Sequence, residues 1–196
     1  EFANRNSLYS RIDLEALKHH ELGIHMATTL NALDQPLKVL QLGLPGSTYT
    51  QEGLAILAEY LSGNMNLARL KQLALRVLAV EMMVNGMSFN SVFNQLCSDH
   101  GLDNDSAFSL TTRVFRGGGF TKDYLYLRGF RDLLALAKTE DLTALMLGKT
   151  SISHLETLRE LIERKILTPP VLVPSLLSQE VTSHNPTLDY LVTCIK

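Results

Sequence analysis

The spacing of two histidines in Leu14-Glu15-Ala16-Leu17-Lys18-His19-His20-Glu21-Leu22-Gly23-Ile24-His25-Met26 constrains this chain more than any other feature. Leu14, Leu17, Leu22 and Met26 supply an apolar stripe, so the stretch from about Ser10 to Leu30 reads as a helix. Within it lies His20-Glu21-Leu22-Gly23-Ile24-His25, an H-E-x-x-x-H pattern. Two imidazoles with a glutamate directly after the first form a zinc-hydrolase arrangement, in which the imidazoles bind metal and the glutamate takes a proton from water. The common form is H-E-x-x-H. At about 100° per residue, histidines at i and i+4 lie roughly 40° apart on a regular helix, whereas i and i+5 lie roughly 140° apart and chelate poorly. One extra residue held as a π-bulge repairs the geometry, and such bulges tend to sit at functional sites. The spacing therefore predicts a widened turn around Leu22-Gly23-Ile24, with Gly23 tolerating the distortion.

A metal site needs a third protein ligand, and Glu52 is the best candidate. It stands in Thr50-Gln51-Glu52-Gly53-Leu54-Ala55-Ile56-Leu57-Ala58-Glu59-Tyr60, which also reads as a helix. A glutamate supplied by a second helix completes the His₂Glu class of zinc site and leaves a fourth position for water. The rival use of Glu52 is to complement the dipole of a helix first turn. Glu59 is seven residues on, nearly on the same face, and is either a partner to a ligand or an alternative ligand. His19 flanks the motif as a solvated or supporting residue.

With 196 residues, 45% hydrophobic and 19% charged, the chain reads as one globular domain, residues 1–196, and not as a disordered one. A net charge of −2 gives no electrostatic case for nucleic acid. No apolar run approaches a membrane span, and no signal peptide is visible. Cys97 and Cys194 are too few for a disulfide framework, and as reduced thiols they favour the cytoplasm.

The pattern beyond the second glutamate helix is helical throughout. Helices are expected from Asn66 to about Asn85, from a Ser88 cap through Cys97, from an Asp103 or Asp105 cap to Phe115, and from Lys122 to Lys138. A short helix closed by Gly148 follows. A further helix is expected to open with a Ser153-x-x-Glu156 capping box and to stop at Pro169-Pro170. Short helices are expected near Leu176 and from Leu188 to Ile195. The fold class is mainly α, with little or no sheet: a multi-helix core in which the H-E-x-x-x-H helix faces a second, Glu-bearing helix. Gly117-Gly118-Gly119 invites a phosphate-loop reading, but no strand precedes it and no Gly-Lys-Ser/Thr follows.

His-Glu-Leu-Gly-Ile-His followed by Gln51-Glu52-Gly53-Leu54-Ala55 resembles the bacterial QEGLA-motif proteins, sometimes labelled modulators of flavohaemoglobin expression. The same family includes the animal microtubule-associated tyrosine carboxypeptidases, zinc enzymes that remove the C-terminal tyrosine of α-tubulin. The resemblance runs from about Leu14 to about Pro174. It also takes in Asn31, Gln35-Pro36, and the run from Arg113-Val114-Phe115-Arg116 through Lys122-Asp123-Tyr124-Leu125-Tyr126 to Gly129. It implies zinc, one per chain, on His20, His25 and Glu52, with Glu21 as the catalytic acid/base. It further implies a peptide or protein C-terminus as substrate, whose free carboxylate needs a cation. Arg113, Arg116 and Lys122 gather at the glycine turn and suit that role. Their rival use is to pair with Asp123 and other acids and so hold the turn. Tyr126 is placed to stabilise an oxyanion, or else simply packs with Leu125 and Leu127. Family members carry a substantial segment before the zinc helix, and this chain is short there, so it is expected to be the C-terminal catalytic core of a longer protein.

Three functions follow as expectations. The first is a zinc metallopeptidase of carboxypeptidase type. The second is a non-catalytic or regulatory protein with a structural site, closed by a fourth ligand such as Glu59 or His19. The third is a helical interaction module whose metal site is vestigial.

Overall fold

The computed structural model describes residues 10–116, 122–178 and 185–195. Among these residues there is no strand, so the mainly α expectation holds. No helix of the described residues is long and apolar enough to cross a membrane. The described residues divide into two compact units, one within residues 10–65 and 129–195, the other within residues 66–128.

In the first unit, α1 (Arg11–Leu17), a π-helical segment (Lys18–Met26) and α2 (Ala27–Leu33) follow one another without a break. The π segment packs on α4 (Ser47–Leu61), reached through the short α3 (Val39–Leu42). From Thr50 to Tyr60 every residue of α4 is buried, which makes it the central helix of this unit. Ile24, Leu54, Ile56, Leu57, Leu133, Leu145, Met146 and Leu147 are fully buried. Each such side chain stabilises the fold by about 1.5–3 kcal/mol. At Gly53 the central helix meets Gly129 of α8 (Lys122–Leu136) so closely that a Cβ on Gly53 would lie 2.5 Å from the Gly129 carbonyl carbon. The glycine of Gln51-Glu52-Gly53 therefore answers to a helix crossing.

Two buried amides, Asn31 on α2 and Gln35 just beyond its end, hold the later chain in place without a sheet. Asn31 donates to the carbonyls of Met146 and Leu172, both at 2.9 Å, and its Oδ1 accepts from the backbone N–H of Val171 and Leu172. Gln35 exchanges a pair of bonds with the Thr168 backbone. Leaving such a buried amide unpaired would cost about 1–3 kcal/mol. The segment held this way leads to Pro174, whose ring lies against Gly23, and to a 3₁₀ turn (Ser175–Ser178) on α4. Tyr60 of α4 donates to Asp189 of α10 (Pro186–Thr193) at 2.5 Å, and burial together with that carboxylate pushes the phenol's pKa up.

One helix start differs from expectation. A 3₁₀ turn (Ile152–His154) precedes α9 (Leu155–Glu163), and the capping box is formed by Ser151 and His154 rather than by Ser153 and Glu156. The Ile152 N–H is drawn to Thr50 Oγ1 at 2.8 Å, so a long-range bond sets the entry. α9 ends at Glu163, well before Pro169.

The second unit contains α5 (Leu67–Val84), α6 (Phe89–Ser98), α7 (Asn104–Phe115) and residues 122–128 of α8. Asn66, Ser88 and Asp103 cap these three helices as N-cap acceptors. Their apolar faces share a core of Leu75, Ala79, Val92, Leu96, Ala107 and Val114.

Candidate metal centre

The widened turn expected around Leu22-Gly23-Ile24 is present and is longer than one bulge: π geometry runs from Lys18 to Met26. In i→i+5 hydrogen bonding, positions five apart stack on one face, and the two histidine rings accordingly come to 5.0 Å between centroids. Gly23 is not among the positive-φ glycines, so the distortion does not require a glycine there.

Glu52 faces both rings. Its Oε2 lies 3.8 Å from His20 Nε2 and 3.6 Å from His25 Nε2. The ligand atoms of His20, His25 and Glu52 all fall within 4.8 Å of one another, so the three residues can hold a metal ion. The spacing is close to what zinc asks. Bonds of about 2.0–2.2 Å at tetrahedral angles set neighbouring donors about 3.4 Å apart. Two nitrogens and one carboxylate oxygen are also the donor set zinc favours. His20 and Glu52 are buried, while the His25 side chain keeps 28% of its surface. The cluster thus has one side toward solvent.

Glu59 is not one of the grouped donors. It takes the other nitrogen of His20, Nδ1 to Oε1 at 2.8 Å. A carboxylate in that position fixes the imidazole with Nε2 directed at the metal and makes it a more basic ligand. Of the two uses expected for Glu59, the structure shows the supporting one. Glu21 follows His20 in the π segment and is half-buried. Among the described residues it has no hydrogen-bond partner.

The other expected site residues lie in the second unit. Arg113 donates Nε to Asp123, so the pairing named as its rival use is present. Arg116 and Lys122 are exposed, and residues 117–121 between them lie outside the described residues. Tyr126 is buried, with the guanidiniums of Arg76 and Arg113 over its ring at 5.7 and 5.9 Å. Arg76 escapes sequence reasoning, because it stands between Leu75 and Val77 in an ordinary amphipathic helix.

A family profile described as microtubule-associated tyrosine carboxypeptidase matches residues 2–196. No curated relative matches the chain.

Proposed function

For a chain that belongs to the microtubule-associated tyrosine carboxypeptidase family, we propose the activity of a zinc-dependent carboxypeptidase. The observation that carries the reading is the convergence of His20 and His25, on a π-helical segment, with Glu52 on α4. Three donors form the cluster among the described residues, and Glu59 is committed to His20. A catalytic zinc site keeps a position open in this way, whereas a structural site closes it with a fourth ligand.

His20, His25 and Glu52 would hold the zinc. When bound, the ion supplies Lewis acidity, which polarises a carbonyl and makes water a nucleophile near neutral pH. Glu21 takes the proton from the attacking water and returns it to the leaving amine. Glu59 holds the His20 ring in register throughout. Arg113, Arg116 or Lys122 receives the substrate's free carboxylate, and Tyr126 stabilises the oxyanion. The substrate is a peptide or protein C-terminus, with tyrosine as the residue removed.

A direct test uses a short peptide ending in tyrosine, as free acid and as C-terminal amide. The expected result is release of the terminal residue from the acid form only, stopped by a chelator and restored by zinc. Release that continues after full chelation, or no release from any zinc-loaded sample, contradicts the reading.

A further inference from the structure

Leu22 and Met26 belong to the apolar stripe read from the sequence, yet both keep 52% of their surface. They are part of a longer pattern. Every fourth residue from 18 to 34 is exposed, in the order Lys18, Leu22, Met26, Leu30, Asp34. Four residues is close to one helical turn, and α1, the π segment and α2 run on without a break, so these five side chains line one face. Leu33, also half-exposed, widens it. No exposed residue between Lys18 and Asp34 carries a charge: His20 is buried, and His19, Glu21 and His25 are half-buried. Single exposed apolar residues are ordinary on a protein surface, whereas a contiguous run of them marks a contact surface.

The order of the five residues says what fits the face. Its apolar middle reads the same in both directions, Leu-Met-Leu, and its ends carry opposite charges. A two-fold contact is self-complementary, with residue i of one copy on residue j of the other and the reverse. An antiparallel pairing centred on Met26 sets Met26 on the partner's Met26, Leu22 on the partner's Leu30, and Lys18 on the partner's Asp34, twice over. A parallel pairing would set like charges together at both ends. Lys18 already holds Glu15, Nζ to Oε2 at 3.0 Å, but that pair is solvent-exposed and such pairs contribute little, so Lys18 is able to turn to a second carboxylate. A lipid surface fits less well. A helix lying in a membrane interface is rich in basic residues on its polar face, whereas α1 through α2 holds only Arg11 and Lys18 in a chain of net charge −2.

We propose that the face from Lys18 to Asp34 is a two-fold, antiparallel contact between two copies of this chain. Four half-exposed side chains offer roughly 300–400 Å² of surface, and Leu37 and Val39, exposed just beyond α2, add to it. A standard stable interface buries about 800 Å² per partner. The dimer is therefore weak and reversible, with a dissociation constant on the order of 10 µM. The proposal stands apart from the carboxypeptidase reading, since it needs neither zinc nor turnover.

Sedimentation equilibrium of the chain, from about 1 to about 200 µM, is the test, and charge exchange gives it specificity. The expected result is a monomer–dimer equilibrium across this range. Lys18→Glu and Asp34→Lys should each weaken the dimer about tenfold, because each sets like charges together twice. The double variant should restore it to near the wild-type value, which also controls for loss of the Glu15 pair. All three changes are at exposed positions, and unfolding temperatures measured at low concentration should stay at the wild-type value. A chain that remains monomeric to the highest concentration overturns the proposal. So does a dimer equally strong in both single variants, or one that the double variant fails to restore. A monomer that instead cosediments with phosphatidylcholine vesicles gives the face to a lipid surface and overturns it as well.

Discussion

Replacing Glu21 with Gln is expected to lower kcat by about a thousandfold while leaving the metal in place, since general acid–base catalysis contributes roughly 10²–10⁴. The change replaces one carboxylate oxygen with an amide nitrogen and alters volume little. Gln cannot take a proton from water, nor return one to the amine. His20, His25 and Glu52 form a group that could hold a metal ion without Glu21, so zinc content should stay at the wild-type value. KM should change little, because the loss falls on the chemical step. Peptide release assays on wild type and variant, paired with metal analysis of the same samples, check the prediction. Turnover within about tenfold of wild type would remove Glu21 from the mechanism.

Gly129→Ala is expected to destabilise the protein by about 2 kcal/mol, although alanine is the better helix former. A Cβ at residue 129 would lie 2.6 Å from the Tyr49 carbonyl oxygen and 3.2 Å from Gly53 Cα. Both obstacles are backbone, so relief requires the helices to move apart. Overpacking of this kind costs about 3 kcal/mol at the upper end of the usual range. The gain in helix propensity, about 1 kcal/mol, offsets part of it. Gly23→Ala is the contrast, because its Cβ would meet only Pro174 Cγ at 3.8 Å and the Lys18 carbonyl at 4.0 Å. Chemical denaturation of the two variants should separate them clearly. A Gly129→Ala protein as stable as Gly23→Ala would mean that the crossing is looser than described.

Much of the metal centre was legible because its signal is local. Histidines five positions apart chelate poorly from a regular helix, so the spacing alone called for a widened turn. The extent of that turn was not legible. π geometry persists from Lys18 to Met26 in a segment tied to α4 by the His20–Glu59 bond and the burial of Ile24. Glu59 showed its helical phase with Glu52, but only the folded chain shows which nitrogen it holds.

Features that depend on distant partners were the ones missed. Ser153-x-x-Glu156 is a sound capping pattern in isolation, and the bond from Ile152 to Thr50 displaced it. Gly53 reads as one letter of a motif until Gly129 is seen against it. Asn31 and Gln35 enter the sequence reading only as letters of the resemblance, whereas in the folded chain both are buried clamps on the backbone of residues 146–172. Arg76 carries no sequence mark, since its setting is made by Tyr126 and Asp123.

The central claim is that His20, His25 and Glu52 form a zinc site. Elemental analysis of protein purified without chelator, for wild type and Glu52→Ala, tests it most directly. The expected result is about one zinc per wild-type chain and its loss in Glu52→Ala, as for a site reduced from three protein ligands to two. A wild-type chain that takes up no zinc even when it is added back, or a Glu52→Ala chain that keeps a full equivalent, would contradict the claim.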